Sequence, residues 1–156
     1  GCNMGILVEG ATNEGFDING IDINKHSIKA GREQWPKIAD KLTIKDFTQP
    51  QHEEKIYDVV VLSDILSHVG NPLALMRNAR QVLKDDGVLY VNVVNIGCKK
   101  SLEDGQKFDG WGVGENVTLY SRESFDNFME KIGWSWADYR TDEEDEMIFA
   151  RCEKKA

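Results

Sequence analysis

With 156 residues, 40% of them hydrophobic, the chain has the size and apolar content of one domain (1–156) with its own core. A formal net charge of -8 leaves no basic excess with which to hold a phosphate backbone, so nucleic acid is not an expected partner. No apolar run approaches the roughly 20 residues that cross a bilayer, and Cys2, Cys98 and Cys152 show neither metal-ligand spacing nor an even disulfide set, so reduced thiols in a cytoplasmic setting are expected.

The chain opens "GCNMG", a glycine turn with no strand and no initiator Met before it, which is expected of a fragment entering a nucleotide-binding βαβ unit after its first strand. Residues 4–13 suit a helix, with Ile6 and Leu7 on one face and Gly15 as its stop. "FDINGIDI" reads as a strand, and Asn24 caps a helix through Gln34 that Pro36 ends. "KLTIKD" is a short strand, and "HEEK" is a polar approach to the next one. "IYDVVVLS" carries a continuous apolar run that suits a strand buried on both faces of a parallel sheet. "GNPLALMRNARQVLKDDG" is a helix with Asn71 as cap and Pro72 at its first position; Leu73, Met76, Ala79 (or Arg80) and Leu83 recur at helical spacing, and Gly87 makes the turn into the strand "VLYVNVV". "GCKKSLEDGQKFDGWGVGEN" is polar and glycine-rich, a long loop of the kind used as a lid. Ser121 caps a helix with Phe125, Phe128, Met129 and Ile132 as its apolar face. "SWADYRT" and "EMIFARC" close the chain as a hairpin around a solvated acidic turn, "TDEEDE" (141–146). The predicted class is α/β: a Rossmann-like, doubly wound, mainly parallel sheet with a C-terminal antiparallel hairpin and the first strand absent.

In open α/β sheets ligands bind beyond the carboxyl ends of the strands. Those ends are the 1–5 turn, Asp22, Asp46, Ser63 with Asp64, and Asn95. Asp22 lies about 20 residues past the glycine turn, the spacing of a carboxylate that accepts a ribose hydroxyl; a capping Asp is the alternative. Asp46 with Phe47 could meet an adenine edge and ring, or be a surface Asp beside a core Phe. His68 is the candidate base, set against a histidine bonded to backbone, and Trp111 either folds over an acceptor as part of a lid or anchors its loop. His26 and His52 lie in polar surface sequence and carry no role.

Taken in order, "GCNMG", "GIDIN", "IKDFTQ", "YDVVVLSDILSHVGNPLALMRNARQVLKDDGVLYVNVVN" and "ENVTLYSRESFDNFMEKIGW" resemble the class I S-adenosylmethionine-dependent methyltransferases over nearly the whole chain. The block 57–95 is similar to the small-molecule branch that includes the ubiquinone-biosynthesis O-methyltransferases. This resemblance implies S-adenosyl-L-methionine as cofactor and a small-molecule acceptor, methylated at oxygen. It implies that Gly1, Asn3 and Gly5 face the methionine part of the cofactor, with Asn3 in place of the usual central glycine. It further implies that Asp22 binds ribose, Ile23 packs on adenine, Asp46 and Phe47 meet the adenine edge, and Ser63 stands beside the methionine moiety. Asp64, His68 and Trp111 fall on the substrate side. A sulfonium methyl is already activated, so positioning supplies much of the catalysis and a base serves only an acceptor that must lose a proton. Two rivals remain open: a nicotinamide-dependent oxidoreductase, against which stands the lack of G-x-G-x-x-G from Gly1, and a noncatalytic binding protein of the same fold.

Overall fold

The computed structural model describes all residues except 52, 53, 142–144 and 156, together with the side chains of Ala137 and Tyr139. His52 and the middle of the acidic turn therefore lie outside the described residues. The chain forms two compact units, Gly1–Gln49 and Pro50–Ala156.

The first unit contains α1 (Ile6–Asn13), β1 (Gly20–Asp22), α2 (Lys25–Gln34) and β2 (Leu42–Ile44). Helix α1 starts two residues later than its sequence pattern suggests because Gly5 takes φ 87, a left-handed conformation that favours glycine. A Cβ at Gly5 would also stand 2.7 Å from the Leu42 side chain. Val8 is the residue of this helix that enters the core, with Ile28, Ile38 and Leu42. The expected apolar face is therefore displaced by one position, and Ile6 and Leu7 are 71% and 53% exposed. The Asn24 side chain caps α2 as its residue type predicts, accepting from the His26 and Ser27 amides. Pro36 ends that helix and opens a 3₁₀ turn, Pro36–Lys41, which carries Ile38 into the core. The expected long first strand is only three residues, because its ladder is as short as its parallel partner: Gly20 pairs Leu42 and Asp22 pairs Ile44.

The second unit contains β3 (Tyr57–Ser63), α3 (Pro72–Val82), β4 (Leu83–Val94), α4 (Lys99–Asp104), α5 (Arg122–Lys131), β5 (Trp134–Thr141) and β6 (Met147–Lys154). Its sheet runs β3-β4-β6-β5, parallel between β3 and β4 and antiparallel across the rest. The sheet is thus mixed, and the last strand of the hairpin lies inside, against β4. In register, Leu62, Val91 and Ala150 share one buried face. Val61, Tyr90 and Phe149 belong to the opposite face, 42%, 45% and 45% exposed. Strand β3 was expected to be buried on both faces, but among the described residues its sheet pairs it on one side only, and Val59 is 47% exposed.

Helix α3 keeps its predicted start: Asn71 Oδ1 accepts from the Ala74 amide and Pro72 occupies the first position. It buries Leu75, Met76, Ala79 and Val82, whereas Leu73, one position off that stripe, is half exposed. The chain turns extended at Leu83, earlier than Gly87, and Tyr57 pairs Leu83 before the register shifts. The segment read as a long loop holds α4, two 3₁₀ turns and a buried Phe108. Ser121 and Ser124 form a reciprocal capping box at α5.

Buried Asn95 closes the carboxyl end of β4. Its Nδ2 donates to the Asp145 carbonyl at 2.9 Å, and its Oδ1 accepts from the Gly97 and Arg122 amides at 3.0 and 3.3 Å. One side chain thereby ties the approaches to α4, α5 and β6, and these bonds satisfy a buried amide group that would otherwise cost about 1–3 kcal/mol to leave unpaired.

All three cysteines are free. Burial pushes the Cys152 thiol up to about 12 and also raises half-buried Cys2, while Cys98 Sγ is buried and accepts from the Ser101 amide. Since the thiolate is the reactive form, a chromogenic disulfide reagent will leave Cys98 and Cys152 unmodified in folded protein and titrate all three thiols after denaturation. Rapid modification of three thiols in folded protein would contradict this core.

Candidate active site

In the first unit the 1–5 turn and the end of β1 are bound together. The Cys2 amide donates to the Ile21 carbonyl at 2.9 Å, and the Gly5 amide to the Cys2 carbonyl at 2.8 Å. The Asp22 carboxylate is held by main chain on both oxygens: the Asn3 amide donates to Oδ2 and the Asn24 amide to Oδ1, each at 2.7 Å. Asn3 reaches its position at φ 52, a conformation asparagine tolerates better than most residues, which accounts for its use where a glycine was expected. The structure thus brings Gly1, Asn3, Gly5 and Asp22 together. Asp22 braces the loop through these two amides, a role the sequence did not indicate, while each oxygen keeps a further lone pair for a ligand. Asp22 is 13% exposed, and the next residue, Ile23, extends an apolar side chain that is 70% exposed. At the end of β2, Asp46 Oδ1 accepts from the Thr48 hydroxyl at 2.7 Å and amide at 2.9 Å. These bonds hold the Asp46 carboxyl below the usual range, ionised and oriented. Phe47 is half buried beside it.

A carboxylate fixed by main-chain amides next to an unpacked aliphatic side chain, at strand ends beside a glycine turn, fits the ribose and adenine of an adenosyl cofactor. A ribose offers paired hydroxyl donors and adenine an apolar face. Asp22 would take the hydroxyls and Ile23 the ring, with Asp46 at the adenine edge. Among the described residues no cluster of His, Cys, Asp and Glu could hold a metal ion.

In the second unit Ser63 ends β3, exposed, and Asp64 turns the chain at φ 51. The turn that follows is closed by the His68 amide on the Ile65 carbonyl at 3.0 Å. His68 Nδ1 lies 3.1 Å from the Glu115 carbonyl, and Nε2 lies 4.0 Å from Asp64 Oδ1. A carbonyl only accepts, so this contact suits the tautomer with its proton on Nδ1, which leaves a lone pair on Nε2. The buried Ser67 carbonyl next to it accepts the Val117 and Thr118 amides at 2.8 and 3.1 Å. The loop after α4 is therefore fastened to the turn after β3. Trp111 serves that loop's interior: its indole N–H donates to the Gly105 carbonyl at 2.6 Å and its ring meets Phe108 edge-on. Both contacts lie within the loop that Trp111 belongs to.

Sequence reasoning did not single out Ser67 or Asn116, the residues that hold this loop. The glycines before Asn116 mark a turn, but nothing local reveals that its partner is the turn after β3.

A family model described as a methyltransferase domain matches residues 1–137. The ubiquinone biosynthesis O-methyltransferase of Actinobacillus pleuropneumoniae serotype 7 is 33% identical over 107 residues, 64% of this chain and 45% of that protein. The protein of the same name from Vibrio cholerae serotype O1 is 30% identical over 105 residues, 65% of this chain and 43% of that protein. The chain therefore spans less than half the length of these relatives. Among solved structures, the TehB-like SAM-dependent methyltransferase from Corynebacterium glutamicum superposes with a TM-score of 0.71 at 15% identity, over 99% of this chain and 77% of that one. The cyclase SpnF gives 0.77 at 14% identity, over 100% and 74%. Identities this low establish the fold alone, and a cyclase among them shows that this fold hosts more than one reaction. On the match that runs through both units, the chain belongs to the class I S-adenosylmethionine-dependent methyltransferases.

Proposed function

We propose that this single methyltransferase domain (1–156) moves a methyl group from S-adenosyl-L-methionine to a hydroxyl oxygen of a small molecule. The observation that carries the choice of oxygen is His68: the Glu115 carbonyl lies 3.1 Å from Nδ1, placed to accept a proton held there, and Asp64 stands near Nε2. A base poised this way is useful to an acceptor that must lose a proton, as a phenol or alcohol does. The curated relatives, named as O-methyltransferases, support the same reading.

When bound, S-adenosyl-L-methionine supplies a methyl on positively charged sulfur. Asp22, braced by the Asn3 and Asn24 amides, orients the ribose; Gly1, Asn3 and Gly5 leave backbone open to the methionine end; Ile23, Asp46 and Phe47 serve the adenine. Ser63 is exposed at the end of β3, its hydroxyl open to a ligand. His68 Nε2 would take the acceptor's hydroxyl proton, and nearby Asp64 would stabilise the imidazolium that results. Trp111 keeps the loop beside the acceptor in shape. Three free thiols and the absence, among the described residues, of a helix long and apolar enough to span a membrane fit work in the cytoplasm.

The test is calorimetric titration of S-adenosylhomocysteine, with NADH in parallel. Micromolar binding of the first and none of the second is expected. Asp22→Ala will weaken that binding at least tenfold, since each hydrogen bond to a charged group contributes about 1.5–3 kcal/mol. Binding of NADH alone would overturn the cofactor assignment. Tight S-adenosylhomocysteine binding with no methyl transfer to any of a panel of phenols, catechols and alcohols would favour a noncatalytic role.

A further inference from the structure

We infer that Asn116 is a positioning residue for His68: it shapes the loop so that the Glu115 carbonyl meets Nδ1, and so selects which ring nitrogen is basic. The inference rests on the reading of His68 as the base, but the placement it describes is measurable without any reaction.

The geometry is a short chain of contacts within the second unit. Asn116 Nδ2 donates to the Trp111 carbonyl at 3.2 Å and to the Gly110 carbonyl at 3.4 Å. The Glu115 and Asn116 amides both donate to the Gly112 carbonyl at 2.9 Å. The side chain of Asn116 thus folds back over its own turn and closes it. Gly112 is what permits this: it sits at φ 53, and a Cβ there would run into the Asn116 amide group. The closed turn is then fixed in space by Ser67, whose carbonyl takes the next two amides, 117 and 118. Glu115 lies between the two fastenings, and its carbonyl points to His68 Nδ1.

A carbonyl at Nδ1 matters because a neutral histidine has one proton and two places for it. An unheld ring exchanges between tautomers, and a ring with its proton on Nε2 cannot take another there. Holding the proton on Nδ1 keeps Nε2 available, and a displaced carbonyl removes that bias while leaving the histidine, the cofactor loop and Asp64 unaltered. This also explains the pattern "GWGVGEN": glycine at 112 admits the asparagine, and the asparagine presents the carbonyl before it.

The experiment is nitrogen-15 NMR of the histidine rings in the full chain at a pH where they are neutral, with the His68 signals assigned by their disappearance in His68→Gln. In the unaltered protein His68 is expected to show protonated Nδ1 and unprotonated Nε2. In Asn116→Ala both ring nitrogens are expected to move to averaged, exchange-type shifts. Asn116→Asp, which keeps the shape but has no N–H to donate, is expected to behave alike. Thermal melts accompany the spectra, and Asn116→Asp serves if Asn116→Ala does not fold. A wild-type His68 protonated on Nε2, or folded variants in which Nδ1 keeps its proton, would overturn the inference. His68→Gln with undiminished methyl transfer would instead overturn the base assignment and leave the tautomer result standing.

Discussion

His68→Gln will bind S-adenosylhomocysteine as the unaltered protein does, yet transfer methyl to weakly acidic hydroxyls about 10²- to 10⁴-fold more slowly, the usual contribution of a positioned general base. Glutamine retains an amide N–H for the Glu115 carbonyl, so the fastening between residues 68 and 115 can persist while the basic nitrogen is lost. The effect should depend on the acceptor. With substituted phenols of graded acidity, the deficit shrinks as the phenol becomes acidic enough to ionise unaided, because positioning alone then suffices. Single-turnover rates across such a series are the measurement. An equal rate for variant and wild type with the least acidic phenol would end the assignment of His68 as base; an equal deficit across the series would mean a positioning role.

Phe125→Ala will produce the largest loss of stability. Phe125 is fully buried in α5, its ring edge-on to Tyr120 at 5.8 Å between centroids and tilted against Trp136 at 5.4 Å. Removing a buried phenylalanine ring costs about 3–5 kcal/mol through lost transfer energy and the cavity left behind, a large share of the roughly 5–15 kcal/mol that holds a domain folded. At this chain length the melting temperature should fall by of order 10 °C. The Tyr120 hydroxyl in the same cluster is buried with no partner among the described atoms, and burial pushes its ionisation up to about 12. Denaturant titration of Phe125→Ala and Phe125→Leu measures it, with the leucine variant intermediate; a melting temperature unchanged in the alanine variant would show that this cluster does not support the unit.

The helix starts were legible because they are local. Asn24, the Asn71–Pro72 pair and Ser121 each act within three residues of themselves, so the sequence pattern and the caps coincide. The glycine turn and Asp22 were legible for a related reason, since strand-end positions follow once strands and helices are recognised in order. Packing phase was less so. Leu73 and Leu7 look like core residues by spacing, yet each lies one position off the stripe its helix buries.

By itself, then, the sequence determined the α/β class, the capped helices and the residue types gathered at the strand ends, because each depends on interactions a few residues long. Only the tertiary structure decided that β6 enters between β4 and β5, that β3 is paired on one side in its sheet, and that Asp22 is braced by the Asn3 amide 19 residues away. It alone decided that His68 meets the Glu115 carbonyl 47 residues along the chain. A hydrogen bond between distant segments is set by how whole elements pack, and no local propensity or periodicity carries that information.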